Sequence, residues 1–298
     1  MDNKSLYKDL CQSEGSRIPL FQQHWWMEAV CEGKRWDVLL DRDADGTVRA
    51  ALPYLIGRKM GLRYVIMPQL TQFGGPWLRS GSMEEEMLAA KRLIAQLKRL
   101  RLTYYQQNFA PEVTNWLPFY WAGYRQTTRY TYRLSDISNT QEVFNRFDPS
   151  RRQRQIQKLE GKLREVEMSA SEFADFHISY WASRGRKDLL SRSFMLRVTQ
   201  TALDRGQGLL MALADEDGVV QGARFVVFDD RCAYSLLSAL RPGHPNGTSA
   251  MLFWQIICRL SGRTKAFDFE GSMDPGIEQS YRLYGATQVP YFRITKLL

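Results

Sequence analysis

The densest group of side chains able to do chemistry is Phe267-Asp268-Phe269-Glu270-Gly271-Ser272, followed at short range by Tyr281-Arg282-Leu283-Tyr284-Gly285. Two apart on a strand, Asp268 and Glu270 would share one face, where a carboxylate can take or orient the proton of an amine. Tyr281 adds a phenol that can donate to a developing oxyanion, with Tyr284 and Tyr291 as further groove-lining phenols. Ser272 and Arg282 extend the polar surface, and arginine binds phosphate through two parallel hydrogen bonds. These types suit proton transfer to or from a bound group, where a general base adds about 10²–10⁴-fold. Asp268, Glu270 and Tyr281 are therefore the catalytic candidates.

The elements that must position them read as strand, Gly-rich bend, buried helix, strand, short helix, strand over residues 236–296. The bend holds Gly243, Pro245 and Gly247, and Ala250 to Cys258 is apolar nearly all round, as in a buried helix. In α/β sheets the C-terminal end of a strand is where ligands bind, and the acidic pair lies at such an end.

Earlier in the chain, residues 19–33 read as a helix with Trp25, Trp26 and Val30 on its apolar side, stopped by Gly33. A hairpin follows, Trp36 to Leu40 and Val48 to Ile56 about a turn ending Asp45-Gly46, then a strand over Gly61 to Met67. The loop from Gln69 to Trp77 carries Gln72 as a binding candidate, beside glycines that let backbone approach a ligand. An amphipathic helix spans 83–100, a strand Tyr104 to Gln107, a helix 112–122 and a strand Gln126 to Leu134.

This order recurs. Residues 209–228 match 37–56 as strand, acidic Asp-Gly turn, strand, with Val220 and Ala223 answering Val48 and Ala51. The helix near 248–260 answers 83–100, and Phe267 to Glu270 answers Tyr104 to Gln107. Phe119-xxx-Gly123-xx-Gln126 is echoed by Tyr281-xxx-Gly285-xx-Gln288, and the shared order of elements implies two similar α/β (α+β) domains, 1–140 and 141–298.

Between them, residues 150–164 read as a helix with Ile156, Leu159 and Leu163 on one face and Arg151, Arg154, Lys158 and Lys162 on another. That stripe is either a solvated face or a phosphate-facing one, with Arg151, Arg154, Lys158 and Arg241 as binding candidates. A formal net charge of +9 over 298 residues makes a polyanion such as RNA, a nucleotide or an anionic lipid a suitable partner. Cys11, Cys31, Cys232 and Cys258 lack paired spacing, so reduced thiols and a cytoplasmic setting are expected. No apolar run approaches a membrane span, so neither a signal peptide nor a transmembrane helix is expected. His24, His177 and His244 stand far apart, and no metal site is expected. A Gly-x-Ser-x-Gly elbow, a Walker loop and a dinucleotide fingerprint are all absent.

The tandem organisation resembles the Fem family of peptidyltransferases within the GNAT-type acyltransferases. The resemblance rests on RRQRQIQKLEGKL, the strand pair around Asp217-Gly218 and FDFEGSMDPGIEQSYRLYGATQVPYFRI, and is strongest over 145–296. It implies two tandem GNAT-like domains with mixed, mainly antiparallel sheets flanked by helices. It also implies acyl or aminoacyl transfer to an amine, with acyl-CoA or aminoacyl-tRNA as donor co-substrate, no tightly bound cofactor, and a small molecule or peptidoglycan precursor as acceptor. Three departures bear on the donor. The long coiled-coil arm of the best-known members has no room here, which weighs against tRNA. Tyr281-Arg282 stands where the family often has aromatic-Lys. Arg241 to Thr248 only loosely echoes Arg/Gln-x-x-Gly-x-Gly/Ala, and Pro242 and Pro245 remove N–H donors from a phosphate cradle. A non-catalytic RNA- or anion-binding module on a degenerate GNAT fold, and a structural partner subunit, are the alternative readings.

Overall fold

The computed structural model of the protein describes residues 2–31, 34–271 and 273–297. Along the chain run α1 (Asn3–Glu14), α2 (His24–Cys31), β1 (Trp36–Arg42), β2 (Val48–Lys59), β3 (Leu62–Ile66), β4 (Trp77–Leu78), α3 (Met83–Arg99), β5 (Tyr104–Asn108), α4 (Leu117–Trp121) and β6 (Arg125–Leu134). There follow α5 (Thr140–Arg146), α6 (Arg154–Leu159), β7 (Arg164–Val166), α7 (Ala170–Ser183), α8 (Arg192–Asp204), β8 (Gly208–Ala214), β9 (Val220–Phe228), β10 (Cys232–Leu240), α9 (Thr248–Leu260), β11 (Ala266–Asp268), α10 (Pro275–Arg282) and β12 (Thr287–Leu297). The expected stop at Gly33 lies outside the described residues.

Two units result: Met1–Tyr130 with Pro290–Leu298, and Thr131–Val289. Their leading hairpins have the same register. Trp36 faces Leu55 as Gly208 faces Val227, and Arg42 faces Val48 as Ala214 faces Val220. Each is interrupted by a bulge at the same place, between Asp41 and Arg42 and between Leu213 and Ala214. A third strand then pairs antiparallel, β3 on β2 and β10 on β9, a helix follows, and a fourth strand pairs parallel to the third, β5 on β3 and β11 on β10.

The fifth strands are exchanged, and this is where the units depart from a boundary at residue 140. In the first unit β5 is flanked by β12, Asn108 opposite Arg293 through Tyr104 opposite Leu297. In the second, β11 is flanked by β6, Leu134 opposite Phe267 and Arg133 opposite Asp268. Each unit thus takes its fifth strand from the other repeat, and backbone pairing outweighs sequence proximity.

Period-two alternation covers both faces of the second unit's sheet. Val226 and Phe228 on β9 join the core beneath α9, whereas Phe225 meets Phe173 of α7 at 6.4 Å between ring centroids. In the first unit α3 buries Ala89, Ala90, Leu93, Ile94 and Leu97, and its start is fixed by a capping box between Ser82 and Glu85.

Two predicted helices shrink. The basic stretch 150–164 becomes a wide π-helical turn over Pro149–Gln153 and a short α6, after which Glu160 leaves the helix and Gly161 adopts φ 74°. The helix predicted over 112–122 survives only as α4, beginning one residue before Pro118. Among the described residues no helix is long and apolar enough to cross a membrane.

Candidate functional site

The site assembles in the second unit where β10 and β11 part. They run parallel over three pairs, Cys232–Ala266, Ala233–Phe267 and Tyr234–Asp268. Beyond these β11 ends, while β10 continues to Leu240 through a bulge between Ser235 and Leu237. This bulge lies in the pairing of β10 with β9 and re-aims the side chains of β10 just past the point where β11 stops.

Asp268, expected as a proton acceptor, has all its acceptor capacity engaged. Thr131 Oγ1 and the Glu270 N–H donate to Oδ1, and Arg133 Nε and Nη2 reach Oδ2 at 3.1 Å. It is fully buried, and burial raises its pKa against the pull of Arg133. Asp268 is a buried anchor in this arrangement. Nor do the two carboxylates share a strand face. The Asp268–Glu270 N–H bond turns the chain as an Asx-type turn, and Glu270 sits at φ 65°. A non-glycine residue there is strained by roughly 1–3 kcal/mol, and such strain concentrates at functional sites. Glu270 is half-buried, and burial followed by the nearby Asp268 charge pushes its pKa well above the usual carboxylate range.

Tyr281, half-buried on α10, lies 5.3 Å from the Phe269 ring and 5.9 Å from Tyr132. Burial pushes its phenol up to about 12, so it remains a donor. Tyr284 lines no groove. It is 1% exposed, stacked on Phe269 at 5.1 Å and edge-on to Phe147 and Phe253. Tyr291 falls in the first unit, against Phe73 at 5.0 Å, and Gln72 belongs to that unit too, its carbonyl accepting from Asn108 Nδ2 at 3.0 Å. Arg282 is exposed and pairs with Glu278 one turn away at 2.6 Å. Arg241 uses Nε to hold the Val220 carbonyl at 2.7 Å, tying the bend to β9. Arg151, Arg154 and Lys158 stay on the solvent face, and Ser272 lies outside the described residues.

Sequence reasoning missed two arginines. Arg152 turns inward from the basic stretch, over the Tyr284 ring at 4.6 Å, with Nη2 donating to Ser280 Oγ at 2.6 Å. Arg224 lies within the apolar run of β9. Its guanidinium rests 3.6 Å from the Phe253 ring centroid, Nη1 donates to Ser235 Oγ at 2.6 Å and Nη2 to Ser249 Oγ at 3.2 Å.

The two repeats differ at the helix that follows the third strand. The first turn of α3 carries Glu84, Glu85 and Glu86, and its N–H groups are engaged by Ser82. Asp41, Asp43, Glu85 and Glu86 line the pocket beside it together with Arg49, Arg79 and Arg92. The first turn of α9 has no acidic residue, and its cap, Gly247, makes no side-chain bond. Its positive dipole end therefore suits an anion better than that of α3. In the bend before it Pro242 and Pro245 have no N–H, those of Arg241 and His244 go to the carbonyls of Gln221 and Arg241, and that of Thr248, the first residue of α9, goes to the carbonyl of Pro245. The thin cradle expected from the prolines is thus thinner still.

Gly247 is essential to that geometry. Its φ is 105°, and a Cβ there would meet Gln155 Cβ at 2.9 Å and Gln155 O at 3.2 Å. Gly247→Ala is expected to cost about 1–3 kcal/mol, read as a lower denaturant midpoint with an unchanged slope. Among the described residues no group of His, Cys, Asp or Glu side chains is placed to hold a metal ion.

Residues 146–276 match the family model of the acetyltransferase (GNAT) domain. Among solved structures the fold is similar to that of FemX, with a TM-score of 0.73 and 12% identity, covering 97% of this chain and 95% of that one. It is also similar to L-PGS from Bacillus licheniformis, with a TM-score of 0.59, 13% identity and 94% and 90% coverage. A tandem GNAT protein from the clavulanic acid biosynthesis pathway gives a TM-score of 0.55, with 10% identity and 98% and 93% coverage. No curated protein is significantly similar in sequence.

Proposed function

With a GNAT domain over residues 146–276 and a FemX-like fold of two repeats, we propose that the protein transfers an acyl or aminoacyl group from an activated donor to an amine. The observation that carries this reading is the half-buried Glu270 just past the end of β11, held in a left-handed turn by Asp268 with its carboxyl pKa raised. A donor carbonyl lies there with its anionic portion toward the first turn of α9. The amine nitrogen attacks the carbonyl carbon, a C–N bond forms, and the C–S or C–O bond to the leaving group breaks. Glu270, as general base, takes the amine proton, and the Tyr281 phenol donates to the departing thiolate or alkoxide. Asp268 holds Glu270 in its left-handed turn and is a positioning residue.

The donor class is acyl-CoA or aminoacyl-tRNA, and the acceptor is a small amine, with a peptidoglycan precursor as the acceptor that the FemX likeness favours. A cytoplasmic setting fits the buried thiols of Cys11 and Cys31, which burial pushes up to about 11 and about 12 and so makes unreactive. Thermal shift against acetyl-CoA, longer acyl-CoAs, charged and uncharged tRNA and UDP-linked wall precursors tests the reading. A donor at about a hundred times its dissociation constant stabilises by roughly 2.7 kcal/mol, and the same donor must then be consumed when an amine is supplied. Silence from every donor overturns the reading.

The exposed Arg151, Arg154 and Lys158 favour a second reading, RNA or anion binding without catalysis. It requires affinity falling by about 0.7 log units per log salt for each phosphate neutralised on a single strand, with no donor consumed.

A further inference from the structure

We propose that Arg224 forms the floor of a subsite for a carboxylate carried by one of the two reacting substrates. This deepens the acyl-transfer reading and rests on it.

The argument begins with the duplicated hairpins. Arg224 stands opposite Met211 in the second repeat as Leu52 stands opposite Leu39 in the first. Leu52 is fully buried in an apolar core. At the matching position of the second unit the fold has a guanidinium, only 7% exposed, on the α9 side of the sheet. No carboxylate among the described residues pairs with it. Its two terminal nitrogens are met by the neutral hydroxyls of Ser235 and Ser249, and buried Nε has no hydrogen-bond partner. Burial draws its pKa down to about 10, so it still carries its charge near neutral pH. An unpaired buried cation is a standing cost to the fold. An anion supplied by the substrate removes that cost.

Its surroundings define the anion. Phe253 covers one face of the guanidinium at 3.6 Å, so a ligand meets the edge of the fork, which matches the planar oxygens of a carboxylate. Ser249, half-buried in the first turn of α9, and Ser235, at the bulge of β10, are replaceable hydroxyl partners on that edge. The phosphate-bearing part of a donor has its own place at the N-terminal end of α9, whose first turn carries no acidic residue. Glu270 and Tyr281, both partly exposed, flank the same opening, so the carboxylate sits close to the reacting carbonyl. Substrates such as a dicarboxylic monoacyl donor, or an amino acid as acceptor, meet this requirement.

The test is thermal unfolding of the full chain, wild type and Arg224→Leu, with succinate, with its neutral match succinamide and with inorganic phosphate. Leucine is the residue the first repeat places at this position, so the variant is expected to unfold, without ligand, at or above the wild-type temperature. Succinate should raise the wild-type midpoint by several degrees and succinamide should not, and Arg224→Leu should bind succinate at least roughly 30-fold more weakly. Equal succinate binding by both chains, no binding by wild type, or a response to phosphate alone overturns the carboxylate assignment. A ligand-free Arg224→Leu that unfolds far below wild type does so as well, since it makes Arg224 a structural residue. These readouts do not depend on turnover. Arg224-dependent succinate binding without consumption of any donor therefore defeats the transfer reaction and leaves the subsite standing.

Discussion

Glu270→Gln is expected to slow acyl transfer by about 10²–10⁴-fold and, at the same time, to make the protein more stable at neutral pH. Both effects follow from one carboxyl group. Burial and the charge of Asp268 raise its pKa well above the usual value, so the folded chain holds this proton more tightly than the unfolded chain does. Between the ordinary carboxylate value and the raised one, folding takes up a proton, and stability falls as pH rises across that window. Glutamine, neutral throughout, removes the fall. The base works only when deprotonated, so wild-type kcat/KM should climb with pH through the raised value, where stability is being lost. Denaturant midpoints at acid and neutral pH, beside a pH–rate profile, check the pair of effects. A variant that keeps its activity within a few-fold, or that is less stable than wild type at neutral pH, removes Glu270 from the mechanism.

Arg133→Ala should be among the most destabilising single changes in the second unit, at about 3–5 kcal/mol. Arg133 is the cationic partner of the fully buried Asp268, which it meets through two nitrogens at 3.1 Å. Its removal leaves a carboxylate without a counter-ion beside Cys232 and Tyr234, whose own protons burial already holds. Urea unfolding followed by circular dichroism measures the loss. The double change Arg133→Met with Asp268→Leu should recover much of it, because an apolar pair needs no charge compensation. That double variant should stay folded yet transfer poorly, since the anchor for the Glu270 turn is gone. If Arg133→Ala costs less than about 1 kcal/mol, the ion pair is not the anchor described here.

Features whose determinants are local could be read along the chain. Asp45-Gly46 and Asp217-Gly218 announce their hairpins, and alternation about them gives the register of both. The buried helix α9 follows from an apolar run, and its Gly247 cap from the bend before it. What escaped the sequence depends on partners distant in the chain. Asp268 looked available because Thr131 and Arg133, which engage it, lie more than a hundred residues away. Glu270 looked like a strand residue because its left-handed turn is set by a side chain-to-backbone bond rather than by a glycine. Arg224 was hidden in an apolar run. Only comparison with Leu52 in the matching repeat shows it to be out of place, and that signal was present in the duplication itself.

The exchanged strands bear on the order in which the protein can be built. Synthesis delivers β1 to β5 well before β12, which flanks β5 and follows α5 through α10 in the chain. Until β12 is made the edge of β5 lacks that partner, and an open edge invites pairing with other chains. The second unit has the opposite problem: β6 is made early and waits for β11. Neither repeat can be completed as a separate gene fragment, and pairings this distant in sequence favour slow folding. For this protein the nascent chain, more than the finished one, is the form that needs protection from aggregation.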